Sequence, residues 1–200
     1  MMMQANERID DLQRGGLRVI QRADAFRFGT DAVLLADFAA PRRHDRVCDL
    51  GTGTGIIPLL LYARENTISA DAVEIQPDMA GMAARSMAMN GLNEKIRVLP
   101  GDLRSIRTLL PHARYDLVTC NPPYGKAGGT LLNPDASKRL ARHEESCAIE
   151  DVACAAAWLL QNGGRLCCVF PAARMIELSD AMRKYRMAPK RIRLVHSRVE

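Results

Sequence analysis

The sequence YDLVTCNPPY at residues 115–124 decides the fold and the position of the functional site. Its first part, Tyr115–Cys120, is a mostly apolar run that predicts a buried strand. The two prolines after Asn121 cannot continue as helix, because each fixes φ, lacks an N–H and biases its predecessor toward extended backbone. We therefore predict a stiff exit from a strand, with Asn121 at its carboxyl end and Tyr124 turned outward. An amide oxygen, a proline carbonyl and an aromatic ring would suit a planar group bearing an NH2, although a plain turn after a strand fits the same residues.

Composition and length are those of an ordinary globular domain. The 200 residues are 48% hydrophobic and 26% charged, which is enough for one domain with a buried core. No apolar run approaches the roughly 18 residues of a membrane span, and the amino terminus is polar and unlike a signal peptide, so we expect a cytoplasmic protein. The six cysteines contain no CxxC pair and the four histidines show no metal-ligand spacing, so reduced thiols and no metal are expected.

The net charge of +5 is unevenly distributed. Residues 183–198 contain seven basic side chains and no acid. Such a segment can be a solvated face, which is the commoner case, or a surface that meets phosphate. Its charge alone does not decide between them.

The pattern from residue 46 onward alternates between strand and helix. Predicted strands cover residues 47–50, 70–75, 96–99, 115–120, 165–170 and 191–196, and predicted helices cover 56–63, 78–89, 149–160 and 174–185. This alternation predicts an α/β fold of the Rossmann-like kind, with a mostly parallel sheet and helices on both faces. Upstream, residues 16–20 and 25–28 predict a hairpin, and a helix over 32–38 follows, with Thr30 or Asp31 as its cap or as one side of a ligand pocket.

Three of the predicted strands end in residues that suit a ligand. Glycines alternate in the turn at 51–55 after Asp49, where a Cβ would keep the backbone away from a bound molecule. Glu74 ends the next strand, 19 residues after Gly55, and could accept two hydrogen bonds from a ribose diol. Asp102 follows the third strand, where it could accept from an adenine amino group. Each acid alone could cap a helix, but ligands of such sheets bind at the carboxyl ends of the strands, and three acids in register there favour a site.

These elements, in this order and spacing, resemble the class I S-adenosylmethionine-dependent methyltransferases. The resemblance extends over about residues 16–196 and implies S-adenosyl-L-methionine as the cofactor. The implied cofactor-binding residues are Thr30, Asp31, Asp49, Gly51, Thr52, Gly53, Gly55, Glu74, Asp102 and Asn121. The NPPY element implies methylation of a nitrogen, with catalytic residues Asn121, Pro122, Pro123 and Tyr124.

Two further segments, FGTDAVLL at 28–35 and ARHE at 141–144, resemble the bacterial tRNA(Val) adenine-37 N6-methyltransferases. The resemblance implies methyl transfer to a flipped adenine of RNA, with tRNA as the expected partner. The residues expected to bind RNA are Lys126, Lys138, Arg139, Arg142, Arg191 and Arg193. Two alternatives stay open: a protein-glutamine N5-methyltransferase of release factors, which shares NPPY, and a nucleic-acid-binding module without catalysis.

Two expectations about organisation follow from this resemblance. Residues 1–45 are expected to form a hairpin and capping helix beside a cofactor-binding catalytic core at 46–200, within one compact domain. Release-factor methyltransferases carry a helical domain before the glycine turn, and the short segment before Val47 disfavours that alternative. The seventh, antiparallel strand of the family's sheet has no counterpart before Glu200, so we expect it to be missing.

Overall fold

The computed structural model describes residues 3–22, 29–122 and 148–196. The strands of this part are β1 (Glu7–Asp11), β2 (Arg18–Arg22), β3 (Arg46–Leu50), β4 (Ser69–Glu74), β5 (Ile96–Pro100), β6 (Tyr115–Cys120) and β7 (Leu160–Cys168). The helices are α1 (Thr30–Ala39), α2 (Ile56–Arg64), α3 (Pro77–Met89), α4 (Ile106–Leu109), α5 (Ile149–Leu159) and α6 (Met175–Lys184), with 3-10 turns at Leu103–Ser105 and Ala172–Arg174.

Five strands form one parallel sheet in the order β5-β4-β3-β6-β7. This confirms the predicted α/β fold. The strand order reverses between β3 and β6, which lie side by side although two strands, three helices and a 3-10 turn separate them in the chain. In such sheets the crevice beyond the carboxyl ends at this reversal is where ligands bind. A ligand site is therefore expected at the residues that follow Leu50 and Cys120, which are partners in the β3–β6 register.

Each face of the sheet is covered by its own hydrophobic core. One core joins α1, α2 and part of α3 to one face, and includes Leu35, Leu59 and Met87. The other joins α4, α5 and α6 to the opposite face, and includes Ile106 and Val152. Buried polar side chains are few, and two of them, Asp49 and Thr119, lie on the strands that flank the reversal. No helix of the described ranges is long and apolar enough to cross a membrane.

The amino-terminal hairpin differs from the prediction. Residues 18–22 do form a strand, but their antiparallel partner is the upstream β1, and residues 25–28 lie outside the described residues. The free edge of β2 is satisfied by a side chain of α3 and by its C-cap residue: the amide of Ile20 donates to Ser86 at 2.9 Å, and the amide of Arg18 donates to Asn90 at 2.9 Å. A bidentate ion pair between Arg85 and Glu7 adds to this contact. The hairpin is thus docked on the helix that follows Glu74.

Two predictions about the carboxyl-terminal part were wrong. β7 begins at Leu160 and not at the predicted residue 165. Tyr115 pairs with Leu160 and Leu117 with Arg165, so the residues between form a bulge within the strand. Residues 191–196 are irregular and join no strand of the described part. Arg191 and Arg193 instead place their guanidinium groups over the ring of Phe38, at 4.2 and 5.5 Å from its centroid.

Helix capping also differs from the expectation for α1. Gly29 is the N-cap residue, with extended backbone, and no side chain caps the helix. Thr30 and Asp31 occupy the first turn, where the carboxylate of Asp31 favours the positive end of the helix dipole. Both residues lie at the amino end of α1. Because the carboxyl end of α1 leads to the start of β3, we expect its amino end to lie at the opposite edge of the sheet, where the parallel strands have their carboxyl ends.

The backbone conformation and close packing at position 55, the N-cap of α2, require a glycine. Its φ is +83°, and a Cβ there would lie 2.5 Å from the methyl carbon of Met87 and 3.3 Å from the Cβ of Ala83. Gly55→Ala should therefore lower the free energy of unfolding by about 1–2 kcal/mol, from the left-handed backbone alone. Denaturant unfolding of the ligand-free protein measures this loss.

The matched control is Gly81→Ala in α3. Gly81 has ordinary helical φ and no described atom within 4 Å of an added Cβ. This substitution should stabilise the protein by about 0.4–1 kcal/mol. Equal effects of the two substitutions would contradict the assigned role of Gly55.

Candidate active site

The glycine turn after β3 is hydrogen-bonded across to β4. The amides of Gly51 and Thr52 both donate to the carbonyl of Val73, at 2.9 and 3.0 Å, and the amide of Gly55 closes the turn on the carbonyl of Thr52. Gly51 and Gly53 have φ values of +70° and +59°, a region in which a side chain is strained. The turn is thereby folded over the carboxyl end of the neighbouring strand.

Glu74 connects three of the chain segments at this edge. Its side chain is 4% exposed. One carboxylate oxygen accepts from the amide of Gly53 at 2.8 Å, and the other accepts from the amide of Gln76 at 2.9 Å. Its own carbonyl accepts from the amide of Gly101 at 2.9 Å. The acid predicted to bind a ribose is therefore also the residue that holds the glycine turn in place.

Asp49 is buried at the strand reversal. The hydroxyl of Thr119, on the adjacent strand, donates to its Oδ1 at 2.6 Å. Burial raises the pKa of Asp49 to about 7, and the nearby Glu74 carboxylate adds to this, while the Thr119 hydrogen bond opposes it. A cation brought to this position would stabilise the ionised carboxylate.

The arrangement fits S-adenosylmethionine, the cofactor implied by the sequence. Within the described residues, Oδ2 of Asp49 and Oγ1 of Thr52 are buried with no hydrogen bond of ordinary geometry, although the Thr52 hydroxyl lies close enough to Asp49 to lower its pKa. Buried polar atoms are rarely left unpaired in proteins, so both atoms suit the polar groups of a ligand. No described atom lies within 4 Å of a Cβ built on Gly51, which leaves room beside the backbone of the turn. A ligand that carries both a cationic group and a ribose suits this pair of carboxylates, since Asp49 could meet the cation and Glu74 the ribose hydroxyls.

Asp102 is paired in this structure with Arg104. The backbone amide of Arg104 donates to Oδ1 at 2.8 Å, and its guanidinium contacts Oδ2 at 2.6 Å. These hydrogen bonds hold the pKa of Asp102 below its usual range. The carboxylate follows β5 at the predicted edge, and Arg104 fixes its orientation; its contact with an adenine stays a prediction.

Asn121 and Pro122 are half-buried beside the glycine turn. Because Leu50 pairs with Cys120, the next residues of the two strands, Gly51 and Asn121, leave the sheet side by side. The structure therefore brings the predicted acceptor-binding asparagine next to the predicted cofactor loop. Pro123 and Tyr124 lie outside the described residues, and their roles stay predictions. Four of the residues expected to bind RNA are also outside: Lys126, Lys138, Arg139 and Arg142.

Arg191 and Arg193 lie far from this edge along α1. Besides the contacts with Phe38, Arg193 forms an ion pair with Asp37 at 3.0 Å, and Arg191 donates to the carbonyl of Phe38. These partners belong to the last turn of α1, whereas Thr30 and Asp31, the residues of α1 predicted to bind the cofactor, lie in its first turn. Both arginines are exposed, so contact with RNA stays a prediction, but their observed contacts attach residues 191–193 to α1.

Sequence reasoning missed two side chains of the site. Thr119 orients Asp49 through a hydrogen bond. The sequence could have indicated Thr119, because it is a polar residue in a buried strand and lies two positions before Asn121, on the same face. Arg104 binds Asp102, and nothing in its local sequence distinguishes it from an ordinary surface arginine.

Comparison with known proteins identifies the family of this chain. The family model of the methyltransferase small domain matches residues 23–190. A Porphyromonas gingivalis protein named tRNA1(Val) (adenine(37)-N6)-methyltransferase is 34% identical over 178 residues, covering 86% of this chain and 69% of that protein. A Tolumonas auensis protein of the same name is 38% identical over 148 residues, covering 74% of this chain and 60% of that protein.

Solved structures show the same fold. TrmN from Thermus thermophilus superposes with a TM-score of 0.57 at 27% identity, covering 76% of this chain and 40% of that one. An S-adenosylmethionine-dependent O-methyltransferase from Thermotoga maritima superposes with a TM-score of 0.55 over 80% of this chain and 49% of that one, and its 17% identity shows the fold alone. This chain therefore belongs to the methyltransferase small domain family, and it is an enzyme that transfers methyl groups from S-adenosylmethionine.

Proposed function

We propose that this enzyme methylates N6 of an adenine in RNA, and that its substrate is a tRNA, so that it acts in the cytoplasm. The observation that carries the proposal is the adjacency of Asn121 to the glycine turn, which follows from the Leu50–Cys120 register. The relatives from P. gingivalis and T. auensis, whose names give adenine 37 of tRNA1(Val), support the choice of substrate. The NPPY sequence begins at the strand end where cofactor and acceptor would meet.

The residues after β6 are proposed to supply orientation and hydrogen-bond acceptors. An adenine amino nitrogen is a poor nucleophile because its lone pair is delocalised into the ring. The side-chain oxygen of Asn121 and the carbonyl of Pro122 can accept its two N–H groups and favour a pyramidal nitrogen, which stabilises the transition state more than the ground state. The bound cofactor supplies an electrophilic methyl on a sulfonium. Tyr124 is proposed to stack on the base, which must leave its own stack to enter the site.

Radiolabelled S-adenosylmethionine distinguishes this proposal from the alternatives. Incubation with unmodified tRNA1(Val) transcript, with the same transcript carrying guanine at position 37, and with a purified release factor should label only the first. Label on the release factor would support glutamine methylation. Binding of tRNA without label in any sample would favour a module that has lost catalysis.

The pKa of Asp49 gives the proposed cofactor site a pH dependence. In the free protein this pKa is raised to about 7, so the carboxyl is largely protonated at about pH 5.5. A cofactor cation beside the ionised carboxylate lowers the pKa in the complex, and binding below pH 7 must then release a proton. Affinity should rise by up to about tenfold per pH unit toward pH 7 and level off above it. Calorimetry in two buffers of different protonation enthalpy measures the released proton.

Asp49→Asn is the matched variant for this experiment, since the amide cannot titrate. Its cofactor affinity should be weaker at pH 7 and independent of pH over the same window. If the affinity of the wild-type protein for S-adenosylmethionine stayed constant from about pH 5.5 to 7, the cofactor cation would not lie beside Asp49.

A further inference from the structure

A basic segment leads away from Asp102 on the face of the sheet that α4 and α5 cover. Residues 103–114 contain three arginines and a histidine and no acid. They form the 3-10 turn at Leu103–Ser105, α4 and the connection to β6. The end of β5 and the start of β6 lie at opposite edges of this parallel sheet, so the segment crosses from one edge to the other. Its positive charge therefore extends from the candidate active site to the opposite edge of the sheet.

The far end of this segment lies against Trp158, the single tryptophan of the chain. The amide of Ala113 donates to the carbonyl of Trp158 at 2.9 Å, and the indole N–H donates to the carbonyl of Leu110 at 3.1 Å. The guanidinium carbon of Arg107 lies 5.1 Å from the centroid of the tryptophan ring, and the centroid of the His112 ring lies 4.5 Å from it. Exposed polar side chains thus cover part of a ring that is only half-buried.

The cations of this end can still bind an anion. Arg107 and Arg114 are exposed, and within residues 3–22, 29–122 and 148–196 neither forms an ion pair. The acid nearest to them in sequence, Asp116, accepts hydrogen bonds from the amide of Arg46 and the side chain of Gln161 instead. A cation over an aromatic ring uses no N–H donor of its guanidinium, and the fork of these donors matches phosphate.

We propose that Arg107 and Arg114 bind backbone phosphates of the tRNA outside the nucleotide that is methylated. With His112 and Trp158 they form the Trp158 patch, in which the tryptophan ring positions the guanidinium of Arg107. This inference rests on the proposed tRNA substrate and adds a second contact surface to it. The six residues of β6 between the patch and Asn121 span about 20 Å, the length of roughly six base-pair steps of a nucleic-acid helix. One RNA stem can therefore reach both edges.

The test is equilibrium binding of the full chain to a tRNA1(Val) transcript carrying guanine at position 37, which lacks the target adenine. RNA bound to Arg107 should change the emission intensity of Trp158, which reports on the patch without other tryptophans. Arg107→Gln and Arg114→Gln should each make the slope of log affinity against log salt shallower by about 0.7–0.9, the value of one phosphate contact. At about 0.1 M salt this corresponds to a loss of affinity of about fivefold to eightfold for each variant. Cofactor affinity and melting temperature should stay at the wild-type values.

Three comparisons give this experiment its controls. Arg107→Lys keeps the charge, so its salt slope should equal the wild-type slope. Lys95→Gln removes an exposed charge before β5, at the same edge of the sheet but three strands away from β6, and should change neither affinity nor slope. Polyglutamate of equal charge represents an acidic protein partner. It should compete more weakly than the RNA, because only the RNA also reaches the Asn121 edge.

The outcomes separate this inference from the proposed function. A wild-type enzyme that methylates no RNA contradicts the proposed function itself. A wild-type enzyme that methylates tRNA overturns only the Trp158 patch if both glutamine variants keep its affinity and slope, or if bound RNA leaves the emission of Trp158 unchanged. An equal loss in Lys95→Gln, or equal competition by polyglutamate, also overturns the patch, because the effect would then be general to charge. If Arg107→Gln lowers the melting temperature, the slope of the folded Arg107→Lys enzyme decides: a shallower slope contradicts the contact.

Discussion

Asn121→Ala is expected to lower kcat by on the order of 10²–10³ while leaving the affinity for S-adenosylmethionine nearly unchanged. This is the usual size of the loss when one preorganised hydrogen-bonding group of a transition state is removed. The asparagine follows β6, and its amide is proposed to face the acceptor, whereas most of the residues proposed to bind the cofactor follow β3, β4 and β5, so the binding of the cofactor should persist. Single-turnover methylation of tRNA1(Val) transcript and calorimetry with the cofactor measure the two quantities.

Asn121→Asp and Asn162→Ala complete this comparison. The carboxylate of the first keeps acceptor oxygens, so it should retain much more activity than alanine if accepting the amino protons is the whole role. Asn162 is an exposed asparagine of the β7 bulge, and removing its amide should have no effect on either quantity. If Asn121→Ala kept the wild-type kcat, the asparagine would have no part in catalysis. If the variant lost cofactor affinity in parallel with kcat, the asparagine would bind the cofactor and not the acceptor.

The core of the fold was predictable because its strands are buried on both faces. β3, β4 and β6 are short apolar runs between glycine, proline and polar residues, and each was predicted to within a residue of its observed bounds. Their order along the chain also fixed which ends meet, because parallel strands place their carboxyl ends at one edge. The sequence alone therefore predicts that Asp49, Glu74 and Asp102 lie at the same edge as Asn121.

The edges of the structure were not predictable in the same way. β1 is a polar strand, and its partner β2 depends on Ser86 and Asn90, more than 60 residues away, to satisfy its free edge. Residues 191–196 have the alternating pattern of a strand, yet Arg191 and Arg193 pack on Phe38 and leave Ile192 and Leu194 largely exposed. Local pattern cannot report which neighbour a segment will find, and tertiary contacts decide such cases.

The hydrogen-bond partners of the carboxylates in the site could not be predicted from the sequence either. The sequence predicts that the carboxylates of Glu74 and Asp102, at the ends of their strands, bind the cofactor. The structure shows that Glu74 and Asp102 each have protein partners as well: Gly53 and Gln76 for the first, Arg104 for the second. Such second roles depend on backbone amides that come together only in the folded turn. They change what a substitution at these positions should do.

Glu74→Ala is expected to weaken S-adenosylmethionine binding by about 1.5–3 kcal/mol, which is roughly 10–150-fold in the dissociation constant. Two losses contribute: the proposed hydrogen bonds to the ribose, and the two backbone amides that the carboxylate holds at 2.8 and 2.9 Å. Because the second loss disturbs the ligand-free glycine turn, the melting temperature without cofactor should also fall. Calorimetry and thermal unfolding of the ligand-free protein measure the two effects separately.

Two comparisons make this prediction specific. Glu94→Ala removes an exposed glutamate between α3 and β5 and should change neither the affinity nor the melting temperature. Asp102→Ala should weaken binding less than Glu74→Ala, since it affects only the adenine end and releases no amide of the glycine turn. Glu74→Gln cannot accept from both amides, because its NH2 faces one donor, so it should lose ligand-free stability like alanine does. If it instead kept full stability while losing affinity, the ribose contact alone would explain Glu74, and the turn would be held by the Val73 carbonyl.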